Sequence, residues 1–211
     1  QIELWKRFFV NISTDLYNIY IHCKFPEKFN DPFFTKFKIK THAETEWGVI
    51  EEAMTLLYEE ALKDPENEYF IPLSESTIAL RSFDYIYKFL FENKQELKSY
   101  IKYWKIPYNK DFESLRNQYK RKLINPLFIK HIKYEHYYKV HSWYILNRKH
   151  ANLIANDIFY RECFKNHLAS SENYVMYILS VNNEYENIHG SILLVIIHAR
   201  CRWTCSWVVD I

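Results

Sequence analysis

Two carboxylates in this sequence stand where backbone geometry gives a ligand or a proton something to meet. Glu172 opens the run SENYVMYIL, whose apolar spacing predicts a helix with this side chain in its first turn. Free N–H groups and the positive end of the helix dipole favour a negative group there, so the position is also an ordinary one for a structural carboxylate. Glu75 lies in the loop Ser74, Glu75, Ser76, directly after the apolar run Tyr69, Phe70, Ile71 and Leu73. In open α/β sheets the carboxyl ends of strands are where ligands bind. Glu44 with Glu46, Glu66 with Glu68 and Glu184 with Glu186 have the one-residue gap of a metal-holding D-x-D pair, but each falls in a polar stretch and reads as a solvated surface pair. The chain has no D-x-D, and Cys23, Cys163, Cys201 and Cys205 lack the spacing of a zinc site, so no metal is expected.

The elements that must carry these groups are legible between residues 47 and 90. Ile50, Ala53, Met54, Leu57 and Ala61 recur at intervals of three and four, with Glu51, Glu52, Glu59 and Glu60 between them, which predicts a helix with one apolar and one solvated stripe. Asp64 and Pro65 stop it. The run from Tyr69 to Leu73 suits a strand covered on both faces by helices. Upstream, Leu4, Trp5, Phe8 and Phe9 form the apolar face of a short first helix, and LYNIYIH, residues 16–22, reads as a strand. Downstream, Leu153, Ile154, Ile158, Phe159 and Phe164 carry a helix toward the polar break before Glu172.

With 211 residues and 48% apolar side chains, the chain is long enough for one α/β domain spanning 1–211 with a real core. Glycine occurs only at Gly48 and Gly190, which excludes a P-loop and a glycine-rich dinucleotide fingerprint. The longest apolar run, Ile192 to Ile197, is far below the ~20 residues of a membrane helix, so any membrane attachment is expected from an anchor outside this chain. Between Lys98 and Lys139 there are eleven Lys or Arg against three acidic residues, interleaved with aromatics. That stretch reads as a solvated, lysine-rich excursion with its aromatics packed inward, as a face for an anionic sugar nucleotide or glycan, or as a nucleic-acid track, the last being the least favoured.

Several of these segments carry a family likeness. WGVIEEAM followed by the LSES loop and the YIYKFL helix, W-x-x-F-F feeding YNIYIH, and KVHSWYILNRKHA resemble in order the core-2/I-branching glycosyltransferases, over residues 4 to 180. Lys139, Trp143, Tyr144, Arg148 and Ala151 fit the third pattern without a gap, while Val140 and His141 replace its glycine and serine. The resemblance implies a GT-A-like domain with a mixed sheet flanked by helices, incomplete at both ends, because the tail of residues 190–211 departs from the family pattern.

It also implies an activity: inverting, metal-independent transfer of a sugar, N-acetylglucosamine from its uridine diphosphate, onto a glycan hydroxyl in a Golgi-type lumen, with no cofactor beyond the donor. Glu172 is carried over as the general base, with Ser171 in place of the usual aspartate. Donor contacts fall on His22, Trp47, Ser74 and Glu75, acceptor contacts on Trp143 and Tyr144, and phosphate contacts on Arg148, Arg200 and Arg202. A noncatalytic glycan- or nucleotide-binding domain of the same fold is the alternative, and a basic nucleic-acid-binding protein a further one.

Overall fold

The computed structural model describes residues 2–46, 48–74, 76–92, 97–108, 125–141, 143–165, 167, 169–190, 196–198 and 205–210. Its helices are α1 (Ile2–Phe8), α2 (Glu51–Ala61), α3 (Phe83–Glu92), α4 (Pro126–His131), α5 (Arg148–Asn156), α6 (Phe159–Phe164) and α7 (Tyr174–Val181). The main sheet contains β1 (Asn18–Cys23) and β2 (Tyr69–Ser74), and three short strands follow, β3 (Thr77–Ala79), β4 (Ser99–Tyr100) and β5 (Tyr103–Lys105). The later strands are β6 (Tyr138–Val140), β7 (Leu146–Asn147), β8 (Ile188–His189), β9 (Ile196–His198) and β10 (Cys205–Asp210).

The main sheet has the order β1-β10-β2-β7, with every neighbouring pair antiparallel, so β1 and β2 point the same way. A parallel ladder occurs between β4 and β8. The backbone of β10 separates β1 from β2, and the tail that departs from the family pattern therefore supplies an inner strand.

Two-residue periodicity splits the sheet between two cores. Ile19, Ile21, Tyr69, Ile71 and Leu73 pack with Trp5 and Phe9 at the chain start and with Phe83, Ile86 and Leu90 of α3. Phe70 faces the other way, into a core built from Met54, Leu57, Tyr58 and Ala61 of α2, Ala151 and Ile154 of α5, and the nearly all-buried α7. Every residue of β2 is buried, as a strand covered on both faces requires. The first helix is narrower than its apolar pattern: Trp5 is buried while Leu4 stays exposed.

Helix α2 begins at Glu51, four residues later than the W-G start of the pattern. It closes when the Leu62 N–H donates to Tyr58 O at 2.8 Å. The turn that follows is held by polar groups. Asn67 Nδ2 donates to Ala61 O at 2.7 Å and to the Tyr20 hydroxyl at 3.1 Å. Arg148 donates to three backbone carbonyls, Leu62 O (2.7 Å), Asp64 O (2.7 Å) and Asn67 O (2.9 Å). The assignment of Arg148 to phosphate is thus corrected: its guanidinium ties α5 to the C-terminal end of α2, where a cation also meets the negative end of the helix dipole.

A second correction concerns Glu184, read as half of a solvated pair. It is buried, and its carboxylate takes bonds from Lys149 Nζ at 2.6 Å, Asn187 Nδ2 at 2.7 Å and His150 Nε2 at 3.3 Å. Because the planar fork of arginine reaches carbonyls that an ammonium cannot reach together, Arg148→Lys is expected to destabilise the fold by about 2–4 kcal/mol. Urea unfolding at neutral pH reads this directly, and an unchanged midpoint would show the clamp to be dispensable.

Candidate active site

The turn that carries Glu172 is built against the chain at Gly48. Gly48 has φ +73°, a left-handed conformation that glycine adopts freely. A Cβ there would lie 3.0 Å from the Ala169 N and 3.1 Å from its Cα. Ala169 is itself left-handed at φ 59° and leads into the 3-10 turn Ser170–Glu172, and Ser170 Oγ donates back to Gly48 O at 3.3 Å. Glu172 therefore sits in a tight turn just before α7, rather than in the first turn of that helix as its sequence position predicts.

A cavity of about 90 Å³ opens beside this turn, lined by Glu172, Trp143, Tyr144, Tyr174, Met54 and Glu51 among others. It joins three residues singled out from two separate sequence segments: Glu172, Trp143 and Tyr144. Glu172 Oε2 lies 2.8 Å from Lys139 Nζ on β6, an ion pair about one-third exposed. Such a pair orients the carboxylate more than it stabilises the fold. Tyr144 is buried, its hydroxyl 3.4 Å from that of Tyr58, and burial pushes its phenol up to about 12. The Tyr174 hydroxyl donates to Asp157 Oδ2 at 2.8 Å.

Glu51 is the residue that sequence reasoning placed wrongly. The helical pattern assigns it to the solvated stripe, yet it is 8% exposed. Ile50, at the N-cap, offers no side-chain cap, and the first turn of α2 is covered by the 169–172 turn instead of by water. Burial drives the Glu51 carboxyl up to about 7, against the neighbouring Ser170 hydroxyl and the backbone N–H groups of Glu51 and Ile50, whose dipoles pull it down. Its Oε1 has no hydrogen-bond partner among the described residues. The signal available in the sequence was the adjoining W-G turn, which brings a second segment onto the start of the helix.

A larger cavity of about 640 Å³, within the range of small-molecule sites, lies on the other side of Glu51. Its walls include Lys24, His42, Glu52, Arg161, Glu162 and Lys165. Acidic groups outnumber cations there, since Glu44, Glu46 and Glu51 also contribute. Lys24 Nζ is engaged by Thr45 O at 2.6 Å, whereas Arg161 Nη1 is buried without a hydrogen-bond partner among the described residues.

His22 stands behind this cavity. It is buried, its ring stacks on His42 at 5.1 Å, and its Nε2 accepts from the Ala43 N–H at 3.0 Å. Desolvation and the neighbouring His42 lower its pKa, so the ring is neutral and supports the 42–45 loop. Ser74 is likewise turned inward. Its hydroxyl lies 2.9 Å from that of Ser76, and its carbonyl accepts from Thr77 Oγ1 at 2.6 Å. Neither His22 nor Ser74 lines either cavity. Trp47, Glu75, Arg200 and Arg202 lie outside the described residues, as does the most basic part of the 98–139 stretch, residues 109–124. Among the described residues no group of three or more His, Cys, Asp or Glu gathers as a metal site, and no helix is long and apolar enough to cross a membrane.

Two expectations follow. Gly48→Ala meets both a left-handed φ and the Ala169 backbone, and should cost about 1–3 kcal/mol by urea unfolding; a loss of a few tenths would show that the two turns are not locked together. For Glu51, the folded pKa near 7 lies above the unfolded value of 4.5, so the folded state holds the proton more tightly. Its contribution is complete below pH 4.5 and is lost as pH rises toward and through 7, by about 3 kcal/mol. The difference in unfolding free energy between wild type and Glu51→Gln should therefore change across that window, and a difference flat with pH would contradict the buried state of this carboxyl.

Comparison with known proteins was informative at the family level. The sequence model of the core-2/I-branching enzymes (Branch) matches residues 1–204. Among curated proteins, glycosyltransferase BC10 of Oryza sativa subsp. japonica is 25% identical over 161 residues, covering 73% of this chain and 37% of that protein. The chain thus spans well under half the length of the curated relative it matches.

Proposed function

Because the chain belongs to the core-2/I-branching enzyme family, we propose that its two adjoining cavities serve inverting transfer of a sugar from a nucleotide donor to a glycan hydroxyl. The observation that carries this reading is the meeting of Glu172, Trp143 and Tyr144 at one cavity, beside a second cavity large enough for the donor. Similarity to the rice glycosyltransferase BC10 supports the same class. The donor in this reading is uridine diphosphate N-acetylglucosamine, and the setting is a Golgi-type lumen, reached through an anchor outside this chain.

In the proposed reaction the acceptor sugar lies against Trp143, with the reacting hydroxyl toward Glu172. The hydroxyl oxygen bonds to the anomeric carbon as its proton passes to the Glu172 carboxylate. The bond from that carbon to the diphosphate oxygen breaks, and its electron pair leaves on the diphosphate from the opposite face, which inverts the centre. Lys139, paired with Glu172 at 2.8 Å, keeps the base in place before the proton arrives. Negative charge developing on the diphosphate needs prearranged positive charge, and side-chain cations supply it in a metal-independent mechanism. Of the described cations, Arg161 is the one with an unsatisfied buried nitrogen at the larger cavity. The resemblance adds Arg200 and Arg202. No cofactor beyond the donor enters this scheme. The many carboxylates of the larger cavity suit the hydroxyls of ribose and sugar, which donate to them.

The test is transfer from uridine diphosphate N-acetylglucosamine to a glycan panel, in excess EDTA, with the full chain and its Glu172→Gln variant. Removing the base should lower kcat by about 10²–10⁴-fold with donor binding unchanged. Turnover that survives Glu172→Gln would remove Glu172 from the role, and donor binding without turnover in the wild type would favour a noncatalytic domain of the same fold.

A further inference from the structure

We infer that Glu51 is a second substrate contact, taking a hydrogen bond from a hydroxyl of the acceptor sugar at the wall between the two cavities. The inference rests on the reading of the smaller cavity as a sugar site, and goes beyond it by assigning a residue that the family likeness does not mark. Glu51 lines both cavities, and its carboxyl lies near the Ser170 hydroxyl and the start of α2. Its Oε1 is buried without a hydrogen-bond partner among the described residues.

Several other polar groups around the smaller cavity are already engaged. The Tyr58 and Tyr144 hydroxyls face each other at 3.4 Å, the Tyr174 hydroxyl is given to Asp157, and Glu172 is paired with Lys139. An acceptor for one more hydrogen bond remains at Glu51 Oε1, in a cavity whose walls also include Met54, Tyr58 and Trp143. A buried polar atom left unpaired is costly, and a ligand that completes it is favoured over one that does not. The chemical class follows from the group. A second anion would face two carboxylates, whereas a sugar hydroxyl donates to an ionised carboxyl and accepts from a protonated one. The proton state of Glu51 balances near neutrality, so a hydroxyl is served on both sides of that balance.

The contact also couples to the base. Ser170, whose hydroxyl lies near the Glu51 carboxyl and donates to Gly48 O, begins the turn that ends in Glu172. A sugar held by Glu51 through one hydroxyl and presented to Glu172 through another is fixed in orientation as well as in place, which is what a transfer reaction requires of its acceptor.

The experiment is a functional-group deletion cycle. Methyl hexopyranosides, their 2-acetamido counterparts and the monodeoxy forms of each are titrated by ligand-observed NMR against the full chain as wild type, Glu51→Gln and Glu51→Leu. Thermal unfolding of each variant establishes that it folds. One deoxy position is expected to weaken binding to wild type by about ten- to a hundredfold, and the same deletion to have little effect in Glu51→Leu, with Glu51→Gln between them. Equal losses in wild type and Glu51→Leu at every position would overturn the role of Glu51 while leaving the sugar site intact. Absence of glycoside binding by folded wild type would overturn the sugar site and this contact with it. Saturable binding of a simple alkylammonium at Glu51 in place of the glycosides would assign the carboxyl to a cation instead.

Discussion

The approach of two left-handed residues, Gly48 and Ala169, is the constraint on which the site depends. With a Cβ at residue 48 only 3.0 Å from the Ala169 backbone and φ at +73°, glycine is the residue that lets the chain at Gly48 lie this close to the turn leading into α7 without strain. That closeness does two things at once. It covers the first turn of α2, so that Glu51 is removed from water, and it holds the 3-10 turn that presents Glu172. One backbone contact across more than a hundred residues of sequence brings two carboxyl groups to a common cavity. The main sheet and its two cores then supply rigidity: α2 and α7 both pack on the face that receives Phe70, and Arg148 fixes the far end of α2.

The same contact explains why a group as costly as Glu51 persists at the start of a helix. A carboxylate in the first turn is favoured by free N–H groups, and Glu51 takes its own N–H and that of Ile50, which compensates for an N-cap residue with no polar side chain. Desolvation by the covering turn opposes that gain and wins, since the carboxyl ends near 7 and not below its ordinary value. The balance differs at Glu184, where Lys149, Asn187 and His150 surround the carboxylate and its pKa is lowered despite burial. Two buried glutamates thus shift in opposite directions because one has a cation within 3 Å and the other has only dipoles.

Much of the scaffold was legible in the chain. The three- and four-residue spacing of α2, the stop before Pro65, the buried run of β2 and the strand through Ile19 and Ile21 all reflect local periodicity that a long helix or a doubly covered strand must show. Glu172, Trp143 and Tyr144, which the family likeness marks in separate segments, line one cavity. What was hidden depends on partners distant in sequence. A helical wheel treats Glu51 as solvated because it cannot see residues 169–172 arriving on its flank. Arg148 reads as a free cation until the carbonyls of residues 62–67 are placed beside it. The inner position of β10 was equally invisible, because a strand's place in a sheet is set by its neighbours rather than by its own side chains.

Charge is the feature that ties the two cavities into one device. An anionic donor entering the larger cavity meets an excess of carboxylates, and this opposes it unless cations take up the diphosphate. Arg161 carries its side of that balance as a buried guanidinium nitrogen without a partner among the described residues, a cost that a phosphate oxygen would relieve. Glu51 carries the mirror image, a buried carboxyl oxygen without a donor among the described residues. Each unsatisfied atom is complementary to a different part of the proposed pair of substrates, the cation to the leaving group and the carboxyl to the accepting sugar. Both groups line the larger cavity, Glu51 also lines the smaller one beside Glu172, and among the described residues neither buried atom has a hydrogen-bond partner. They are readily accounted for if the completed structure is the one with both substrates bound.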